Sequence, residues 1–415
     1  MDLKSGHLLW PDHSPAPPRM PALSRDLDCE ALIIGTGISG AICGVLLARA
    51  GVQVAMVDRR EVSSGSTPAS TAMLMYEIDL PMVDLAKKVG LANAQRAYAR
   101  CYRALDEFAD LVRDLDDQSD LIARECVYLA SKKSDVDVLK AECDARRAIG
   151  IDVSFLTSDQ LETTYRIDRP GAIISRKAME IDPYRATLSL MRCAMTHGAR
   201  VYAKTEVTLQ STSASGAVLQ TSDGQVIRAK HVVFASGYET PEMLGGDYAQ
   251  LKSTYAIATN RLRDEQFWKD RALIWEHRSP YCYTRGTTDN RIVFGGEDED
   301  VCDPELRDSV LELKSKVLLE RLRSLMPWVD AKIEYTWAGT FAETEDGLPL
   351  IGGVKHLPNC HFALGYGGNG ITFSLIAGQI IRDRILGKHD PDEDVFSFDR
   401  LKSKDQPRPE SVAVT

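Results

Sequence analysis

The chain has no two cysteines at CxxC spacing, no block of Lys and Arg, and no ligand-spaced partner for His277 or His361. Each absence removes a class of protein. The nine cysteines (Cys29, Cys43, Cys101, Cys126, Cys143, Cys193, Cys282, Cys302 and Cys360) are odd in number and scattered along 415 residues. That usage fits reduced, mostly buried thiols in the cytoplasm and not a disulfide framework. With a net charge of −10 and no basic block, counterion release has nothing to drive it, so nucleic acid is not an expected partner. Isolated histidines make a metal site improbable as well. The first thirty residues lack an apolar core with a small-residue cleavage pattern, so no signal peptide is expected. Their prolines (Pro11, Pro15, Pro17, Pro18 and Pro21) favour an extended arm over packed structure. Hydrophobic residues at 44% and charged residues at 27% are ordinary for a globular chain, and the length suits two domains.

The greasiest stretch, residues 31–60, reads ALIIGTGISGAICGVLLARAGVQVAMVDRR. As a membrane helix it is broken by Gly35, Gly37, Gly40 and Gly44 and has no aromatic girdle, so no transmembrane segment is expected. As strand, turn, helix and strand it fits without strain. Gly35 permits the tight turn, Gly37 admits a pyrophosphate to the backbone, and Gly40 lets helix and strand pack closely. Asp58 ends the second strand, placed to accept from an adenosine ribose, and an acid there argues against a 2′-phosphate. These features predict a dinucleotide site.

The regular alternation of strand and helix then stops. A hydroxyl-rich run, Ser63–Leu74, suits a flavin diphosphate and a close approach to its ring, with a plain loop as the alternative. A helical tract follows over Leu80–Leu115, its aromatics Tyr98, Tyr102 and Phe108 at core spacing. Strand patterns return near residue 200 and end in HVVFASG at Gly237. Over His361–Leu386 a second apolar strand meets a second glycine-rich turn and helix. Two such junctions suit a cofactor with two ends, FAD more than NAD. Amides at Gly370, Ile371 and Thr372 are then placed to stabilise the negative charge that builds at flavin N1 and the C2 carbonyl.

With IIGTGISG, Asp58, GSTPASTAML, HVVFASG, WAGTFAETEDGLPLIG and GYGGNGI in hand, the chain resembles the D-amino acid oxidase/glycine oxidase/sarcosine oxidase superfamily of FAD-dependent oxidoreductases, from about residue 28 to 390. The resemblance implies an α/β fold. A Rossmann-type, glutathione-reductase-like FAD domain would be assembled from 1–80, 176–240 and 335–415. A smaller substrate domain with a mixed β-sheet would come from 81–175 and 241–334. It implies FAD contacts at Ile38, Ser39, Asp58, Arg59, Ser66, Thr67, Thr71, Ala72, Met73 and Val207. Ala235, Ser236 and Gly237 would line the pyrophosphate, and Gly367, Gly368, Asn369, Gly370, Ile371 and Thr372 the ring. Covalently flavinylated members carry their attaching cysteine near Gly339; none stands there, so non-covalent FAD is implied, and Cys282 falls on a substrate-domain strand.

Departures from the family bear on the substrate. The arginines that hold an amino-acid carboxylate are replaced by Phe341 and Gly368, and neutral residues cannot reproduce a bidentate guanidinium. Arg285 is the alternative clamp, and Tyr281, Tyr283 and Arg285 alternate onto one strand face as a pocket roof or a structural row. Tyr366 and Tyr76 are further substrate candidates. Glu77 and Asp79 mark a crossing between domains, with Tyr76-Glu77 reaching towards the pocket as the other reading. The acidic run Gly295–Glu305 reads as a solvated loop. An oxygen-assisting lysine aligns loosely with Val293, which leaves oxygen or a quinone open as electron acceptor. The expected activity is hydride removal from a carbon bearing nitrogen in a small amine or amino-acid-like substrate. The rivals are a hydroxy-acid or alcohol dehydrogenase on the same fold, or a flavin-binding subunit of a larger dehydrogenase.

Overall fold

The computed structural model describes residues 2–240, 244, 248–278 and 280–401. Its centre is a sheet in which Cys360–Leu364, Val226–Phe234, Leu27–Ile34, Val54–Val57 and Arg200–Tyr202 run parallel in that order. Leu350–Gly352 adds an antiparallel edge, and Val207–Ser213 with Gly216–Thr221 extends it from Val226–Phe234. The run that looked like a membrane span is the strand Leu27–Ile34, the helix Ile38–Arg49 and the strand Val54–Val57. It is apolar because both faces of a parallel sheet are covered. Ala31 and Ile33 pack into one core, and Leu32 and Ile34 into a second on the opposite face.

A ten-stranded mixed sheet lies beside the first. Its path runs Lys4–His7, Ile333–Glu343, Gln250–Thr259, Ile292–Glu299, Cys282–Gly286, Leu273–His277, Ile122–Ala130, Gly171–Glu180 and Met73–Leu74, with Val153–Thr157 paired to Gly171–Glu180. The helix Leu311–Leu325 covers Gln250–Thr259, Ile292–Glu299 and Ile333–Glu343.

The expected segment boundaries differ from the sheets. Lys4–His7, Met73–Leu74, the end of Gly171–Glu180 and most of Ile333–Glu343 belong to the mixed sheet, although 1–80, 176–240 and 335–415 were assigned to the nucleotide half. At about 3.3 Å per residue, the eleven-residue strand Ile333–Glu343 runs some 36 Å, so a boundary at 335 cuts inside an element. The helical tract is two helices, Met82–Val89 and Leu91–Arg113, broken at Gly90 where φ is +84°. The longer one packs against Gly370–Ile385, on the nucleotide side.

The N-terminal arm is also more structured than its prolines suggest. Lys4–His7 pairs with Ile333–Glu343, and the short helix Leu9–His13 buries Leu9 and Trp10. Trp10 Nε1 donates to the Ser70 carbonyl at 2.7 Å. The acidic stretch 295–305 begins inside Ile292–Glu299 and not in a loop. None of the nine cysteines is bonded to another. Among the described residues no helix is long and apolar enough to cross a membrane, and no group of metal-binding side chains occurs.

Candidate active site

Strands Leu27–Ile34 and Cys360–Leu364 flank Val226–Phe234 in parallel, so both glycine-rich turns leave the same edge of the sheet. This is the edge where ligands of open α/β sheets bind. At the first turn Gly35 has φ +107°, and a Cβ there would collide with the Ala235 carbonyl. A Cβ on Gly40 would collide with the carbonyl of Gly35 itself, which is the close helix–turn approach expected of that position.

The two helices that follow, Ile38–Arg49 and Gly370–Ile385, share an uncommon feature. Neither is capped by a side chain, and neither has an acid in its first turn. Their first turns also touch, Ser39 Oγ lying 2.7 Å from Ser374 Oγ. Two positive helix ends therefore open side by side, the Ile38 N–H donating to Thr67 Oγ1 at 3.1 Å, a donor set suited to phosphate at one and to developing negative charge at the other.

One cleft connects these ends. It encloses about 1960 Å³ when its open mouth is included. Of the residues expected at the cofactor, it is lined by Gly35, Gly37, Ile38, Ser39, Asp58, Arg59, Ser66, Thr67, Thr71, Ala72, Met73, Val207, Ala235, Ser236, Gly237, Gly339, Gly367, Gly368, Gly370 and Ile371. Gly40, Asn369 and Thr372 lie behind the wall. Asn369 Nδ2 donates to the Glu77 carbonyl, and Thr372 Oγ1 donates to the Met75 carbonyl at 3.0 Å, so both fasten the 75–77 segment to the late turn.

Asp58 Oδ2 accepts from the amide and the hydroxyl of Thr36, both at 2.8 Å, and Oδ1 accepts from the Arg60 amide at 2.9 Å. A carboxylate offers about four acceptor positions, so capacity remains for ribose hydroxyls. Arg59 and Arg60 both engage the buried Glu239, Arg60 Nη2 at 2.8 Å. Glu239 and Tyr238 follow the Ala235–Gly237 turn and line the cleft with no local sequence signal.

Tyr281, Tyr283, Phe341 and Tyr366 line the ring end. Two substrate candidates do not. Tyr76 is fully buried, its hydroxyl 2.7 Å from Ser175 Oγ and its ring edge-on to Tyr98 and Tyr102, so it is core. Arg285 points into a separate cavity, where Nη1 donates to the carbonyls of Ala72 at 2.7 Å and Ile181 at 3.0 Å, and its guanidinium stacks over Trp10. At the end of its strand the alternation that aligned it with Tyr283 no longer aims it at the cleft. Cys282 is buried beside Arg321, 3.0 Å from Nη1, and is not on the lining.

Glu77, Asp79, Thr254 and Trp275 join the ring end instead. Burial, reinforced by Glu343 and Asp298, pushes the Asp79 carboxyl up to about 7 against the pull of the Gly368 amide and Lys252. Asp298, behind Thr254 and Tyr281, is pushed up to about 6, again mainly by burial.

Residues 30–384 match the family model of the DAO-type FAD dependent oxidoreductases. The chain belongs to this family. It is 28% identical over 378 residues to glycine oxidase of Bacillus licheniformis, covering 86% of this chain and 93% of that protein. It is 23% identical over 381 residues to gamma-glutamylputrescine oxidoreductase of Escherichia coli, covering 88% and 85%. Among solved structures, glycine oxidase from Geobacillus kaustophilus superposes with a TM-score of 0.73 at 22% identity, over 91% of this chain and all of that one. The DAO fold and FAD dependence thus agree with a cleft that has two uncapped helix ends and a mixed-sheet roof.

Proposed function

We propose that this DAO-family chain oxidises a C–N bond in a small amine or amino-acid-like compound. The observation that carries the reading is the pairing of two uncapped helix N-termini in one cleft beneath a roof of Tyr281, Tyr283 and Phe341. The names of relatives such as glycine oxidase and gamma-glutamylputrescine oxidoreductase support nitrogen at the reacting carbon. Bound FAD supplies the acceptor for a hydride and its two electrons.

The chain's part is to bind, orient and exclude water. Amides of the Ile38–Arg49 terminus receive the diphosphate, and Asp58 the ribose. Amides at Gly370 and Ile371 would face the part of the cofactor that takes up negative charge, with Thr372 fastening the turn from behind. Removing one donor from such a preorganised set typically costs about 3 kcal/mol in the transition state. The aromatic roof of Tyr281, Tyr283 and Phe341 would orient the substrate in the cleft, where positioning would supply much of the rate. The oxidised substrate leaves as an imine, and water completes its conversion to a carbonyl compound and a free amine. No cysteine lines the cleft near Gly339, which supports non-covalent FAD. The unpaired cysteines support a cytoplasmic setting.

Anaerobic addition of amines, N-methyl amines, amino acids and hydroxy acids to the FAD-loaded protein tests the reading. Bleaching of the visible flavin band by nitrogen compounds is expected. Bleaching by hydroxy acids alone contradicts it.

A further inference from the structure

The two ends of the cleft carry opposite provisions for charge. Among the described lining residues the cations are Arg59 and Arg60, both at the nucleotide end and both engaged by Glu239. The ring end is lined by Glu77 and Asp79 and by no cation. The nearby cations are already engaged within the chain. Lys252 pairs with Glu343 at 2.8 Å and Asp300 at 3.4 Å, Arg146 pairs with Glu142 at 2.7 Å and with Glu77 at 3.5 Å, and Arg285 faces the other cavity.

Asp79 sits directly on the late glycine turn. Its Oδ2 accepts the Gly368 N–H at 2.7 Å, and a Cβ on Gly368 would come within 2.7 Å of Oδ1. The glycines of this turn therefore make room for a carboxylate. Asp298 and Glu343 face Asp79 from the surrounding elements and add to its negative field, which Lys252 offsets in part, and Tyr281 and Tyr238 stand beside it as neutral phenols. A second observation is independent of this cluster. Glu77 adjoins the same floor and is 1% exposed, yet its Oε2 has no hydrogen-bond partner, while Oε1 accepts from Ser175 Oγ at 2.7 Å and from Arg146 Nη1 at 3.5 Å. A buried carboxylate oxygen left open beside a cleft calls for a donor from the ligand.

We propose that the pocket is built for a cationic amine without an α-carboxylate, its ammonium held by Asp79, with Asp298 adding negative field from behind. This rests on the C–N reading above and narrows it. An ammonium at Asp79 makes a charge-assisted hydrogen bond, and Tyr281, Tyr283 and Phe341 offer ring faces to its alkyl body. A substrate carboxylate in the same place meets like charge with no guanidinium to offset it. The raised carboxyl of Asp79 accords with this, because a bound cation is what would restore its ionised form.

The test uses two probes of one shape and opposite charge, tert-butylammonium and pivalate. Neither has a hydrogen on the carbon that bears its charged group, so neither reduces the flavin. Their binding to the FAD-loaded protein is followed by calorimetry and by perturbation of the flavin spectrum at about pH 8, above the Asp79 titration. Tert-butylammonium is expected to bind at least about tenfold more tightly than pivalate, and Asp79→Asn to lose about tenfold of that affinity. The variant keeps an acceptor for the Gly368 amide, and its FAD content is measured alongside. Equal or tighter binding of pivalate overturns the proposal, as does undiminished ammonium affinity in Asp79→Asn. Bleaching by α-amino acids without ammonium binding leaves the C–N reading standing and this proposal fallen. Bleaching by lactate alone removes both.

Discussion

The nucleotide end and the ring end of the cleft are built on opposite principles. At the first, Asp58 takes three donors, and Glu239 holds Arg59 and Arg60. At the second, Asp79 has one amide, Glu77 has an open oxygen, and no cation lines the wall. The nucleotide end is therefore a finished socket for an invariant molecule. The ring end keeps its polar groups incompletely matched, so that the substrate completes them. Stability belongs to the first region and selectivity to the second.

Breaking the socket gives the largest effect. Gly40→Ala drives a Cβ into the Gly35 carbonyl and forces the turn and helix apart. Overpacking of this kind costs about 1–3 kcal/mol, and FAD affinity is expected to fall by about 100-fold, read from flavin content after dialysis. Asp58→Ala follows. It deletes the acceptor of the Thr36 pair and of the ribose, so FAD affinity falls about tenfold to thirtyfold, while the rate of flavin reduction at saturating FAD stays unchanged.

The third experiment sharpens the contrast by pH. Asp79 holds its proton more tightly folded than unfolded, because its carboxyl rises from 3.8 to about 7. Its contribution to stability is thus fully present below pH 3.8 and is lost as pH rises through 7. Asp79→Asn stays neutral, so the apoprotein variant should melt above the parent at neutral and alkaline pH, the difference closing towards acid. A variant that melts lower throughout would show that the carboxylate is structural. The smallest effect on turnover belongs to Tyr76→Phe. It loses the contact with Ser175 Oγ and costs about 1 kcal/mol of stability, with kcat/KM unchanged within about twofold.

This contrast also explains what the sequence disclosed. The nucleotide end is local: Gly35, Gly37 and Gly40 stand at fixed offsets and Asp58 closes the same βαβ unit, so a short window contains the chemistry. The late turn was legible for the same reason, and the parallel placement of Val226–Phe234 between the two junctions made them converge. The ring end is assembled from Asp79, Thr254, Trp275 and Tyr281, each on a different element, and no spacing rule links them. Strand alternation puts Tyr283 on the cleft lining, whereas Arg285, one step on, faces the other cavity. Tyr76 looked like a pocket residue because its neighbour Glu77 is one, whereas its own ring faces the Tyr98 and Tyr102 core. Strand pattern alone did not say which sheet Ile333–Glu343 would join, and it lies in the mixed one.

A crystal structure of the FAD-loaded protein tests the central claim most directly. The account predicts a single cofactor spanning the cleft, its diphosphate against the amides at Gly37–Ser39 and its ring edge against those at Gly370–Thr372. A flavin ring seated away from the late glycine turn, or a diphosphate bound anywhere but the early one, would contradict it.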